Sequence, residues 1–312
     1  MMRKDYTVHA LLGLLLLLLV AGPFMPKWLF MLTISLSKGL VVLGLVVLLR
    51  TGLVSFGQGL YYCVGAYAVG SLCKFAGTKN AVVLMLAGTL AAAMLALLLG
   101  FLLANYRGIF FAMLSLALSM IVYGLFVKTS ALGGSDGFNV PSASLFGRVV
   151  SGEGKQYPLF ALTCVVSFAA ALLTNGYLWT ALGRLSLAIR DNEIRVEYMG
   201  ASVRNAIHAK YVIAGALAGL GGAVTALAIG HIDPEMAYWT SSGEFVFVAI
   251  LGGSGSVIAP FLGAIIFEII RTYAYQYSPN TWQMVLGTSM LLVIIFLPAG
   301  LWSVFAHRRR RS

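Results

Sequence analysis

Few residues in this 312-residue chain are equipped for chemistry, and those few are scattered. Lys38 interrupts the apolar run TISLSKGLVVLG, and Glu268 and Arg271 interrupt another. Ionisable groups among apolar residues are costly and stand first as functional candidates. For Lys38 the plain alternative is a long side chain that snorkels or meets a carbonyl. Glu268 and Arg271 lie at i,i+3 on one helix face, where a structural ion pair is expected. Glu244 opens a short apolar stretch and is expected to face outer water. His231, Asp233 and Glu235 in GHIDPEM are metal-ligand types, but a turn around Pro234 accounts for them, and no metal site is expected. Cys63, Cys73 and Cys164 form no CxxC or Cys/His cluster. No nucleophile is paired with a base, so no catalytic residue and no cofactor are expected. The phosphate-cradling GxxxxGK(S/T) run is absent. Any ATP dependence must come from another polypeptide.

Charge concentrates in residues 178–209, LWTALGRLSLAIRDNEIRVEYMGASVRNAIHA. Arg190, Asp191, Glu193 and Arg195 are flanked or interleaved by Leu187, Ile189, Ile194, Val196 and Met199, with Asn192 among them. Gly200 supplies a stop. The pattern predicts a short amphipathic helix, a turn, and a second short element from Ser202. Two readings stand side by side: a helix lying in the headgroups, or a docking element that fits a cleft on a partner. Glycine marks a second theme. RTGLVSFGQGLYYCVGAYAVG (50–70) combines Gly52, Gly57, Gly59, Gly65 and Gly70 with Ser55 and Gln58, and LGGSGSVIAPFLGA (251–264) is similar. Unwound backbone at membrane depth is tolerated only where protein buries it or where it lines a water-filled cavity. Ser55, Gly57 and Gln58, with Lys38, are therefore candidates for a translocation path. Close helix packing competes for Ser55–Gln58 and is expected for Gly215-x-x-x-Gly219.

The elements that carry these residues follow from composition. The chain is 60% hydrophobic and 10% charged, with mean hydropathy +0.92, against about 25% charged in a soluble domain. A water-surrounded globule is excluded. The net charge of +11 comes from basic loops rather than from nucleic-acid binding. Apolar runs near the ~20 residues needed to cross a bilayer place about ten spans at 8–25, 28–49, 53–73, 81–104, 108–127, 157–177, 210–230, 242–252, 257–274 and 282–303, with 242–252 short or broken. Continuous rather than alternating apolarity excludes a barrel. The fold class is all-α and polytopic: one transmembrane domain over 1–312, an outer loop at 128–156, and an inner segment at 178–209. The outer loop either seats an external partner or is a solvated connector. With both termini inside, thirteen basic residues (Arg3, Lys4, Arg50, Arg107, Arg184, Arg190, Arg195, Arg204, Lys210 and Arg308 to Arg311) lie inward. Seven (Lys27, Lys74, Lys79, Lys128, Arg148, Lys155, Arg271) lie outward, in accord with the positive-inside rule. The first apolar run resembles a secretory signal, but Leu19 and Ala21 make a poor cleavage site, and a retained first helix is expected.

These segments resemble the membrane subunit of bacterial high-affinity branched-chain amino-acid ABC importers, LivM type. The resemblance rests on GLVSFGQGLYYCVGAY (52–67), RGIFFAMLSLALS (107–119) with GGSDGF (133–138), GRLSLAIRDNEIRVEYMG (183–200), IDPEMAYWTSSGEFVFVAILGGSGSVIAPFLGA (232–264) and FLPAGLW (296–302), in the family's order and spacing. Gln58 stands where His is frequent, Asp233 where Ser is frequent, and Lys38 falls in a span usually uncharged.

The resemblance implies a non-catalytic permease in the bacterial inner membrane. Its implied partners are a second permease of the LivH type, two P-loop ATPases and a periplasmic binding protein. It also implies that the inner segment couples to the ATPases through Gly183, Arg184, Ile189, Arg190, Asp191, Asn192, Glu193, Met199 and Gly200, with Ile189, Ile194 and Met199 filling a cleft. Urea or another small solute is the alternative cargo, and an ion-gradient transporter the alternative class. The scarcity of convergent charged groups implies that selectivity sits mainly on the binding protein.

Overall fold

The computed structural model describes residues 7–145, 148–149, 156–277, 279–296 and 300–302. Arg3, Lys4, Lys155, the middle of the FLPAGLW run and the arginines from Arg308 to Arg311 lie outside the described residues. The chain forms helices α1 (Thr7–Ala21), α2 (Leu29–Leu49), α3 (Gln58–Ala76), α4 (Ala81–Leu103), α5 (Gly108–Lys128), α6 (Gln156–Trp179), α7 (Ala181–Tyr198), α8 (Val203–Ile229), α9 (Trp239–Gly252), α10 (Ala259–Tyr277) and α11 (Trp282–Phe296). The segments Pro26–Leu49, Ala81–Leu103, Gly108–Lys128, Gln156–Trp179 and Val203–Ile229 are long and apolar enough to cross a bilayer by themselves. The expectation of an all-α membrane protein stands. Four two-residue strands in the loops are the only departures among the described residues.

Three boundaries differ from expectation. Helix α3 begins at Gln58 rather than 53, because Gly52 turns the chain at φ +79° and residues 53–57 run without helical structure. Helix α8 begins at Val203 rather than 210. The side chain of Ser202 accepts from the Asn205 amide at 3.3 Å and caps it, so the expected second short element is the first turn of a long helix. Lys210 accordingly lies in that helix, fully buried, with no hydrogen-bond partner for Nζ among the described residues. Helix α9 starts at Trp239 and stops at Gly252, making it about 21 Å long at 1.5 Å per residue, short of the ~30 Å of hydrocarbon.

Helix α8 is the axis of the bundle, packed against α2, α3 and α4. Small residues on its several faces permit this. A Cβ on Gly222 would overlap the Tyr62 carbonyl, one on Gly219 the Ala92 methyl, and one on Gly215 the Ala96 methyl. The packing role expected for Gly215 and Gly219 is what they perform. Facing them, Gly44 meets the backbone of Ala214, and Gly65 that of Gly219. Ser37 Oγ donates to the Gly221 carbonyl at 2.7 Å and hydrogen-bonds the Thr225 hydroxyl, the cross-helix polar link that close backbones allow. Outside this centre α4 and α5 turn apolar side chains outward, among them Leu90, Met94, Leu98, Phe110, Met113 and Ile121. Helix α5 buries only Phe111, Ser115 and Ser119.

The described loop residues 138–144 are tied to the rest of the chain. Phe138–Asn139 pairs antiparallel with His231–Ile232, Val140 N donates to the Gly230 carbonyl at 2.8 Å, and Ser144 N to the Lys79 carbonyl at 2.6 Å. His231 Nδ1 lies 2.8 Å from Asn139 Oδ1. Replacing Gly222 with Leu is expected to destabilise the fold by at least about 2 kcal/mol through overpacking. Gly124→Ala, where nothing lies within 4 Å of the added atom, is expected to leave it intact. Thermal melting followed by gel filtration in detergent reads both.

Candidate functional site

The break before α3 is a polar junction buried in the bundle. Beyond the end of α2, Thr51 N donates to the Leu48 carbonyl at 2.9 Å and Gly52 N to that of Leu49 at 3.0 Å, closing a tight turn. The chain then runs to α3, whose first amides have no helical acceptor. Serines supply some. Ser115 Oγ accepts from Phe56 N at 3.1 Å, Ser55 Oγ from Gly57 N at 3.2 Å, and Ser242 Oγ from Gly59 N at 3.0 Å. Ser119 Oγ donates to the Ala237 carbonyl at 2.7 Å, tying α5 to the 3-10 turn Pro234–Ala237. A Cβ on Gly57 would sit 2.9 Å from the Ser115 carbonyl, so the close approach requires glycine. Ser55 and Gln58 are fully buried. Neither side-chain oxygen nor nitrogen of Gln58 has a hydrogen-bond partner among the described residues, although buried polar groups are nearly always paired.

Lys38 does not join this junction. Its Nζ lies 3.0 Å from Glu268 Oε2 and 3.4 Å from Glu244 Oε2, while Arg271 Nη1 lies 3.2 Å from that same Glu244 oxygen. The expected Glu268–Arg271 pair is not formed, and Lys38 neither snorkels nor meets a carbonyl. One helix face does bring Glu268 and Arg271 together, but α2 and α9 offer each an opposite charge across the packing. Glu244 is likewise in an ion-pair set rather than simply in outer water. Charged groups therefore do converge, contrary to the scarcity read from the sequence.

The charged segment 178–209 carries α7 as two helical pieces, not one. Asn192 leaves the helical region at φ −162°, ψ 101°, and its Oδ1 caps the second piece by accepting from Arg195 N at 3.0 Å. Thr180 caps the first piece by accepting from Gly183 N at 3.2 Å, and Gly200 ends the second at φ +85°. Gly183 is buried against the backbone of Tyr177 and Leu178. Ile189 and Val196 are buried in this chain's own core, so Ile189 is an internal anchor rather than an exposed cleft-filler. Arg184, Arg190, Asp191, Ile194, Tyr198 and Met199 are exposed. Glu193 is partly spent inside the chain, its Oε2 accepting from Arg107 Nε at 2.6 Å.

Ser115, Ser119, Ser242 and Arg107 lie within the runs quoted above, but sequence reasoning gave them no place in a site. Ser115 and Ser119 carry a usable signal: they stand at i,i+4 in an otherwise apolar helix.

Comparison with known proteins gives this arrangement its family. Residues 28–295 match the family described as "Branched-chain amino acid transport system / permease component". The chain belongs to that family. Among its relatives is the high-affinity branched-chain amino acid transport system permease protein LivM of Escherichia coli K12, 31% identical over 92% of this chain and 73% of that one. The LivH permease protein of Salmonella typhimurium is 24% identical over 80% of this chain and 85% of its own length. BraD of Pseudomonas aeruginosa is 23% identical over 86% and 92%. No solved structure matches. Family members of this kind are transport components rather than enzymes, and the apolar helices make this one a multi-pass membrane protein.

Gln58→Leu is expected to hold stability or raise it by about 1 kcal/mol, because it removes a buried amide with unmet hydrogen bonds. Thermal melting of the purified protein checks this. A fall of several degrees in melting temperature would show that the amide is satisfied after all. Glu193→Arg is expected to cost about 1 kcal/mol or less, since its pair with Arg107 is partly exposed. Combining it with Arg107→Glu should recover the loss, measured as protease resistance of the 190–200 segment.

Proposed function

We propose that this chain is the permease subunit of an ATP-driven importer of branched-chain amino acids in a bacterial cytoplasmic membrane. Its partners are a second, LivH-type permease, two P-loop ATPases and a periplasmic binding protein. The reading takes about ten spans, α1 to α6 and α8 to α11, with both termini inside and residues 178–209 in the cytoplasm. Two facts about the ends of the bundle accord with that span order. Arg50 donates to the carbonyls of Ser254 and Gly255 at 3.1 and 3.2 Å, and Trp302 sits against Gly255. These contacts gather the end of α2, the α9–α10 turn and the last described residues at one end.

The inner segment carries the reading. It is too charged to span, it is kinked at Asn192, and it is anchored on one face by Ile189 and Val196. On the other face it exposes Ile194, Tyr198 and Met199 among Arg190, Asp191 and Arg195. An exposed apolar group ringed by charge is the anatomy of a docking patch, with anchors for affinity and a rim for register. ATP-driven closure of the partners would bias the membrane domain between two openings. The buried junction of Ser55, Gly57 and Gln58 lines the path in this reading, since unspent hydrogen bonds at a helix N-terminus suit a passing polar group. An ion-gradient transporter leaves the inner segment without a use.

Arg190→Glu is expected to weaken ATPase association by about 2–5 kcal/mol if it meets a buried partner charge, and by about 0–1 if the segment merely lies in headgroups. The measurement is ATPase pull-down with leucine uptake in proteoliposomes, folding being followed by gel filtration. Normal binding and uptake would return the segment to the membrane surface. Purification from native membranes tests the assembly as a whole: an ATPase and a second permease should come with it, and a lone homo-oligomer would defeat the proposal.

A further inference from the structure

The four charges on α2, α9 and α10 form an alternating chain, Glu268–Lys38–Glu244–Arg271, with two cations, two anions and no net charge. Three properties set it apart from a structural staple. First, its contacts are long. At 3.0, 3.4 and 3.2 Å they exceed the ~2.7–2.9 Å usual between an N–H cation and a carboxylate. Second, its capacity is unspent. Among the described residues Glu244 and Glu268 bond only through Oε2, and Arg271 only through Nη1, whereas a buried ion pair repays its desolvation only when the remaining groups are also satisfied. Third, it opens in one direction. Side-chain exposure rises from 7% at Lys38 and 13% at Glu268 to 25% at Glu244 and 35% at Arg271.

Aromatic rings flank both cations. The Lys38 ammonium lies 5.6 Å from the Phe267 ring centre, and the Arg271 guanidinium lies 5.6 Å from that of Trp282. Nearby, Tyr273 packs on Trp28, so the open end of the chain of charges is the end at which α2 begins. Lys38, midway along α2, is its most buried member.

We infer that this set receives both charged ends of a zwitterion with an apolar side chain, the carboxylate on the free edge of Arg271 and the ammonium between Glu244 and Glu268. The inference rests on the proposed function for its cargo. A guanidinium with its fork unspent takes a carboxylate by two parallel hydrogen bonds. An ammonium offers three donors, which the two free Oε1 atoms need. Incoming charges would exchange with the resident ones without leaving any ion bare, so the site need not pay for an uncompensated charge at any stage. A solute with one charge or none satisfies only half of the set.

The test uses the complete transporter in proteoliposomes with its binding protein and radiolabelled leucine, read as leucine imported per ATP hydrolysed. The double variant Lys38→Met with Glu268→Gln removes a cation and an anion together, a change that a staple tolerates. The inference expects the ratio to fall at least tenfold with the melting temperature held within a few degrees. A ratio within twofold of the unaltered transporter overturns it. Should that variant fail to assemble, Arg271→Lys keeps the charge and removes the fork. A fall of fivefold or more supports the inference, and retention defeats it. An unaltered complex that imports no branched-chain amino acid defeats the functional proposal instead.

Discussion

Everything in this molecule depends on how closely the backbones of α3 and α8 approach. Gly222 lies against the Tyr62 carbonyl and Gly65 against Gly219, distances that a methyl group would not allow. In a bilayer the lipid chains are as apolar as leucine, so packing and polar links rather than hydrophobic exclusion hold helices together. Close backbones supply both: dispersion contacts along the glycine faces, and hydrogen bonds such as Ser37 to the Gly221 carbonyl. Helix α4 shares in this contact through Gly88 and Ala92, and α2 through Gly44. Four helices are thereby fixed around one axis, and the remainder of the chain is arranged upon them.

That tight centre makes an irregular segment tolerable. An unwound stretch inside a membrane protein leaves amides and carbonyls that no water can reach. Here Leu53, Ser55 and Gly57 are buried and Val54 and Phe56 half-buried, and three serines from separate stretches of chain take up amides around the start of α3. The exception is the Gln58 side chain, which is buried and unmatched. Local strain on polar groups survives only where the surroundings over-determine the geometry, and such places are concentrated at functional sites.

Most of the helix order is legible from hydropathy, because a run of some twenty apolar residues matches the thickness of a bilayer and little else in a protein. The differences arise where apolarity and helicity part company. Leu53, Val54 and Phe56 are as apolar as a span, so hydropathy starts α3 five residues early even though the glycines mark the break. At the other extreme Lys210, a charged residue that reads as the inner edge of a span, is enclosed in α8. Periodicity places Glu268 and Arg271 on a shared face correctly. It carries no information on what α2 and α9 present to that face, since those partners lie 230 and 27 residues away in sequence. The inner segment is legible as amphipathic, but the kink at Asn192 is not, because asparagine there is as consistent with a solvated helix as with a cap.

The ion pair between Glu193 and Arg107 has a mechanical meaning. Arg107 is the N-cap residue of α5, and its Nη1 also holds the carbonyls of Ala104 and Tyr106 at 2.7 and 2.9 Å. The corner between α4 and α5 is thus latched to the second piece of α7. Helix α5 is otherwise bare, touching the interior along one narrow stripe whose serines reach Phe56 N and the Ala237 carbonyl. It is held by the latch at one end, engaged at its middle with the break in the bundle, and packed toward its other end by Phe126 stacked on Tyr67. The kinked segment and residues 55–59 thus bear on one and the same helix, at its N-cap and at its middle, away from the glycine-packed axis.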